Sequence, residues 1–214
     1  MGIVVVVGAY KGGVAKSMTA VNLAAMLAVN GREVMLVDTD RQESAYGWAQ
    51  VRERNSSLPP VHATKRTGSI WSGLMADRAK WDVVLVDAGG QDSPELRQAI
   101  AACDVLLVPV KPAIFDTWAM ARVAEAIKST RNEGRQFRAV SVIAAADTRT
   151  KEARELQPIL TAEYGDVMPP LDVVLYERVA YRMALREGKG IADGTDDAKA
   201  LDELTQVYRS VFHD

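Results

Sequence analysis

"GAYKGGVAKSMT", residues 8–19, follows directly on the apolar run "IVVVV" of residues 3–7. A buried strand, then glycines, then Lys16-Ser17 at the head of a helical stretch is the order of a phosphate-binding loop. The usual spacing, G-x-x-x-x-G-K-[ST], is departed from twice, because Tyr10 and Ala15 stand at the two glycine positions. A second lysine, Lys11, precedes the glycines. Gly12 and Gly13 let the backbone turn and approach an anion closely. Successive N–H groups and the following helix N-terminus favour negative charge. Lys16 is placed to reach the β- and γ-phosphates, and the Ser17 hydroxyl to ligate Mg²⁺. Ala15 is a small replacement for glycine, expected to be tolerated where no positive φ is needed.

Outward from this loop, apolar β-branched runs alternate with helical patterns. A helix is expected from Lys16 to residue 30, stopped by Gly31. "EVMLVD" is a strand ending at Asp38, and "ESAYGWAQVRERN" a helix. After "SSLPP" comes a short strand around Val61, then "WDVVLVD", ending at Asp87. Ser93 caps a helix with Pro94 in its first turn. "DVLLVPV", "FRAVSVIAA" and "LDVVLY" complete seven strands, separated by helices at "DTWAMARVAEAIKSTRNEG" and "TKEARELQPILTAEYG". Two last helices lie at "ERVAYRMALREG" and "DAKALDELTQVYRSVF". Continuous apolar strands between helices predict one α/β domain over residues 1–214: a doubly wound, mostly parallel seven-stranded sheet with helices on both faces. Ligands in such sheets bind beyond the C-terminal strand ends, where "GAYKGGVAKS", "DTDRQ" and "DAGGQD" all fall. Asp38 and Asp40 are spaced so that one carboxylate assists a metal while the other orients water. Asp87 follows its strand as a metal-assisting acid would, and this oxygen set suits Mg²⁺.

The chain has 214 residues and a formal charge of −2, so nucleic-acid contact requires a local basic patch. Its one cysteine, Cys103, excludes a disulfide framework or a multi-cysteine cluster within the chain, and reads as a small buried apolar residue. No signal peptide or membrane-length apolar run is seen, so a cytoplasmic protein is expected. His62 and His213 are read as surface residues, and Trp48 and Trp118 as core or partner-facing ones. Trp71, in "TGSIWSG", is assigned to a satellite cluster. In the C-terminal helix, Leu201, Leu204, Tyr208 and Val211 form an apolar stripe without a cationic face, which reads as packing on the sheet rather than on a membrane.

"KGGVAKS", residues 11–17, resembles the deviant Walker A motif KGGxxK[ST] of the ParA/MinD family of P-loop ATPases. That pattern dispenses with a glycine where Tyr10 stands and varies at Ala15. The resemblance continues through residues 34–49, 81–120 and 177–193, and so spans nearly the whole chain. The short length and missing N-terminal extension look like the small plasmid-type, ParF-like members. By this resemblance the cofactors are ATP/ADP and Mg²⁺, and Lys11, Gly12, Gly13, Val14, Ala15, Lys16, Ser17 and Met18 line the nucleotide. Catalysis is assigned to Asp40, Lys11 and Lys16. Lys16 holds phosphate, Lys11 reaches across a nucleotide-sandwich homodimer, and Asp40 positions the attacking water. Ser17, Asp38 and Asp87 serve the metal.

The resemblance implies an ATPase that dimerises on ATP, binds nonspecific DNA at the nucleoid and partitions plasmid or chromosome DNA. Hydrolysis would be slow until a small ParB-like, centromere-binding adaptor stimulates it. The alternatives are a positioning ATPase for a protein cargo, such as a carboxysome or chemotaxis cluster, and a weakly hydrolysing nucleotide-gated scaffold. A MinD-like membrane regulator and a nitrogenase-reductase-like role are disfavoured. Arg178, Arg182 and Arg186 recur every four residues and are the candidate DNA-binding stripe. The sequence departs from the family at Met18, Arg41, Gly89, Gly90 and Ala144, the last aligning with an adenine-reading asparagine.

Overall fold

The computed structural model describes residues 1–90 and 92–212; Gln91, His213 and Asp214 lie outside the described residues, and with them the expected surface place of His213. Seven strands, β1 (Ile3–Val7), β2 (Val34–Asp38), β3 (His62–Lys65), β4 (Val83–Asp87), β5 (Val105–Val110), β6 (Arg138–Ala146) and β7 (Pro170–Tyr176), form one sheet in the order β3-β2-β4-β1-β5-β6-β7. All pairings are parallel. Among the described residues the α-helices are α1 (Lys16–Val29), α2 (Ser44–Glu53), α3 (Trp71–Arg78), α4 (Pro94–Ala102), α5 (Thr117–Asn132), α6 (Glu152–Tyr164), α7 (Val179–Arg186) and α8 (Ala198–Phe212).

Strand side chains alternate between two covered faces, which is why "IVVVV" has no polar partner residues. Val4 and Val6 of β1 join the core beneath α3, α4, α5 and α6, whereas Val5 and Val7 join the core beneath α1, α2, α7 and α8. β1 therefore sits at the centre, flanked by β4 and β5, with the chain crossing to both sides of it. Its register aligns Val7 with Asp87, and Asp87 pairs in turn with Asp38. Three loops thus leave the sheet side by side at the switch point, where a doubly wound fold binds its ligand.

Several sequence expectations are corrected. The segment expected as a satellite cluster around Trp71 folds as α3, with Leu74 buried under the sheet and Trp71 facing outward beside Arg135. Its N-cap position is Ile70, which has no side-chain capping hydrogen bond. On α8 the buried face is Ala200, Leu204, Val207, Tyr208 and Val211; Leu201, expected in the stripe, is exposed because it lies off that arc. Cys103 is buried and burial pushes its thiol pKa well up, so it is the inert apolar residue expected. Trp48 is core, and His62 is exposed, leaning against Trp81.

Candidate functional site

Residues 8–15 wrap over the C-terminal end of β1 and deliver the N-terminus of α1. Gly13 has φ 74 and Ala15 φ 66, so both occupy the left-handed region. The condition left open by the sequence is thereby decided: Ala15 does take a positive φ. Its methyl is held there at a cost of about 1–2 kcal/mol, because the loop must reverse before α1 begins. Ala15 is the residue preceding the helix, and its carbonyl accepts from the Thr19 hydroxyl at 2.8 Å and the Thr19 N–H at 2.9 Å.

Lys16 is buried, and its ammonium donates to the Lys11 carbonyl at 3.0 Å. Burial lowers its pKa, opposed by the nearby carboxylates of Asp87 and Asp40. The ammonium thus rests on the loop's own backbone, close to two acids. Across from it lies Gly90. A side chain there would meet the Lys16 Nζ at 2.8 Å and the Gly12 backbone at 2.9 Å, so only glycine lets the loop after β4 close on the phosphate loop. In the sequence Gly90 stood only as a departure from the family pattern. It is a contact glycine, signalled only by its place just beyond a strand-ending aspartate.

The three acids differ in kind. Asp38 is buried, with Oδ1 accepting from the Asp40 N–H and Oδ2 from the Tyr46 N–H, both at 2.9 Å. It shapes the β2–α2 turn. Burial raises its pKa against these backbone donors. Asp40, half-buried, folds its Oδ1 onto the Gln42 N–H at 3.0 Å. Asp87 is fully buried, and neither carboxylate oxygen has a hydrogen-bond partner among the described residues. Burial raises its pKa to about 7, Asp38 adding to the rise, while Ser17 and Lys16 beside it pull the other way. An orphaned, buried carboxylate needs a cation or a proton. Ser17, Asp87 and Asp38 therefore fit Mg²⁺, whose hard oxygen preference they meet. Among the described residues no group of three or more acidic, histidine or cysteine side chains could hold a metal.

Lys11 faces away from this centre. Its ammonium pairs at 3.1 Å with Asp116, whose other oxygen accepts from the Trp118 and Ala119 N–H groups at the start of α5. That pairing holds the Asp116 carboxyl below its usual range. Val14 is buried beneath the loop, and Met18 packs partly buried against α1's side of the core. Ala144 is fully buried in the core under β6. Its side chain lies in the hydrophobic layer beneath α1, α2, α7 and α8.

The chain matches the family model described as CobQ/CobB/MinD/ParA nucleotide binding domain over residues 5–191. The chain belongs to this family. It is 30% identical over 210 residues to Maintenance of carboxysome distribution protein A of Halothiobacillus neapolitanus, covering 94% of this chain and 93% of that one. It is 26% identical to the Chromosome-partitioning ATPase Soj of Thermus thermophilus, over 90% and 91% of the two chains. The septum site-determining protein MinD from Pyrococcus horikoshii, solved with Mg-ADP, superposes with TM-score 0.73 at 14% identity, covering 100% of this chain and 97% of that one. The last likeness concerns the fold. Membership marks residues 5–191 as a nucleotide-binding domain.

The arginine stripe is only partly assembled. Arg178 lies outside α7 and ion-pairs with Glu203 and Asp197 of the α8 region, so it does not share the stripe's face. Arg182 and Arg186 are exposed; Arg182 touches Glu177 at 3.2 Å, and Arg186 has no ion pair among the described residues. Val179 and Met183 of the same helix are exposed too. The loop after α7 is tied down by a contact that the sequence reading missed. Arg52 of α2 forms a bidentate pair with Asp193 at 2.6 and 2.9 Å, both side chains buried. No helix of the described residues is long and apolar enough to cross a membrane.

Proposed function

We propose that the chain is a Mg²⁺-dependent ATPase that dimerises on ATP, binds DNA without sequence preference and positions a cargo. The observation that carries this reading is the division of the two lysines: Lys16 lies buried among Asp87 and Asp40, while Lys11 faces outward in an ion pair with Asp116. A phosphate chain entering the loop replaces the Lys11 carbonyl as the acceptor for Lys16. Mg²⁺, held by Ser17 and Asp87 with Asp38 beside them, would neutralise phosphate charge. Asp40 then orients water toward the γ-phosphorus, and the β–γ bridging bond breaks to give ADP and phosphate. Lys11, released from Asp116, serves the partner's phosphates, which makes dimerisation depend on ATP. Arg182 and Arg186 of two joined copies supply the DNA contacts, with affinity rising as paired sites act together.

A protein cargo of the carboxysome kind is supported by the relative that matches over 94% of the chain. Partition of DNA through a ParB-like adaptor is the second reading, supported by the Soj relative. The test is size-exclusion chromatography with light scattering in ADP, ATP and a nonhydrolysable analogue, with DNA added in turn and phosphate release followed. A dimer with ATP alone is expected. Lys11→Ala should bind ATP yet stay monomeric. A wild-type chain that stays monomeric in every nucleotide refutes the reading.

A further inference from the structure

Two donors of the phosphate loop, the Lys16 ammonium and the Gly12 N–H, converge on one place, and Gly90 borders it. A side-chain carbon on Gly90 would lie 2.8 Å from Lys16 Nζ and 2.9 Å from the Gly12 nitrogen. Those are the distances at which an ammonium and an N–H hold a charged oxygen. An oxygen held by both donors must therefore lie against the Gly90 backbone, and a methyl there would crowd it out. The Gly90 N–H is itself uncommitted. It donates to no acceptor among the described residues, whereas the Ala88 N–H is spent on the Val7 carbonyl at 3.0 Å. A half-buried N–H beside an ammonium is one element of an anion seat.

Gly89 faces elsewhere. A side-chain carbon there would rest 3.7 Å from the Asp40 Cα and from the Thr39 carbonyl oxygen, an ordinary contact. Neither glycine has a positive φ, so each backbone accepts alanine. The two residues thus lie between Asp40 on one side and Gly12 with Lys16 on the other. The phosphate that meets Gly90 is then the one toward which Asp40 directs water, the last of the chain.

We propose that Gly90 tells a nucleoside triphosphate from a diphosphate: its N–H donates to the terminal phosphate, and its missing side chain leaves room for the oxygen that Lys16 and Gly12 share. The inference rests on the ATPase reading above and adds a residue to it. A diphosphate ends short of this place. It gains nothing from Gly90 and loses nothing when a methyl fills the space.

The test uses the full chain with Mg²⁺, titrated by calorimetry with ADP and with a nonhydrolysable ATP analogue. Gly90→Ala is expected to weaken the analogue at least ~10-fold, as loss of a hydrogen bond to a charged group does, and to leave ADP affinity near wild type. Gly89→Ala, whose methyl makes only ordinary contacts, is expected to bind both nucleotides as wild type does. A second measurement needs no variant to fold. In wild-type chain carrying isotope-labelled glycine, the nuclear magnetic resonance of the Gly90 amide proton should move downfield with the analogue and not with ADP. An amide unmoved by the analogue overturns the proposal. Equal weakening of both nucleotides by Gly90→Ala also overturns it, making the glycine a packing residue of the loop, and so does a loss in Gly89→Ala as large as that in Gly90→Ala. Each of these results leaves the ATPase reading standing so long as the wild-type chain binds both nucleotides. A wild-type chain that binds neither overturns both.

Discussion

Replacing Arg52 by Met tests how α2 is joined to the loop that follows α7. Arg52 Nε donates to the Pro59 carbonyl at 3.0 Å and Nη1 to the Gly188 carbonyl at 3.1 Å, in addition to the bidentate Asp193 pair. The guanidinium also lies 5.3 Å from the Trp48 ring, whose Nε1 donates to the Lys189 carbonyl at 3.0 Å. Methionine keeps most of the apolar stem but removes every donor. Asp193 then stays buried as an anion, with only the Gly190 N–H, at 2.8 Å, still directed at it. Breaking one side of a buried pair in this way costs about 3–5 kcal/mol. For a chain of this size each kcal/mol lowers the melting temperature by about 2–4 °C, so the loss should be about 6–20 °C. Thermal unfolding followed by circular dichroism without nucleotide measures it, with Arg52→Met/Asp193→Leu as control. The double variant should recover much of the loss, since the unpaired charge is gone. A fall of under about 2 °C for the single variant, outside that range, would show that the pair contributes little and that the loop is held by other contacts.

Asp40→Ala should retain ATP binding and trap the dimer, whereas Lys16→Ala should lose nucleotide affinity; an unchanged hydrolysis rate in Asp40→Ala would remove Asp40 from water positioning. Asp87 carries a pH signature in the nucleotide-free protein. Its folded pKa of about 7 lies above the unfolded value, so its destabilising effect is absent at pH below about 4 and complete above about pH 7. Asp87→Asn should therefore gain about 2–3 kcal/mol relative to wild type between about pH 5 and about pH 8, measured by denaturant unfolding; a difference independent of pH refutes the assignment. Arg182→Glu/Arg186→Glu should abolish DNA binding at low salt while ATP-dependent dimerisation persists. Unchanged DNA affinity would move the site to the exposed Arg149, Lys151 and Arg154.

The sheet and its parallel direction were legible because they rest on local chemistry. β-branched runs with no polar alternation require cover on both faces, and glycine, lysine and serine after such a run can hardly do anything but meet an anion. Strand-ending Asp38 and Asp87 were legible for the same reason. The family likeness added the role proposed for Lys11, which spacing alone does not give. What tertiary structure decided concerns pairs remote in sequence. Asp38 and Asp87 look equivalent along the chain, yet each oxygen of Asp38 accepts an N–H of its own turn, whereas neither oxygen of Asp87 has a hydrogen-bond partner among the described residues. Gly90 is obligatory only because Gly12 and Lys16 lie against it. Arg178 has the spacing of its neighbours but is drawn away by Glu203 and Asp197, residues on another helix. The burial of Arg52 with Asp193 and the exposure of Trp118 are likewise facts of packing. Charge satisfaction and solvent access depend on which distant segments meet, and a linear pattern carries no record of that.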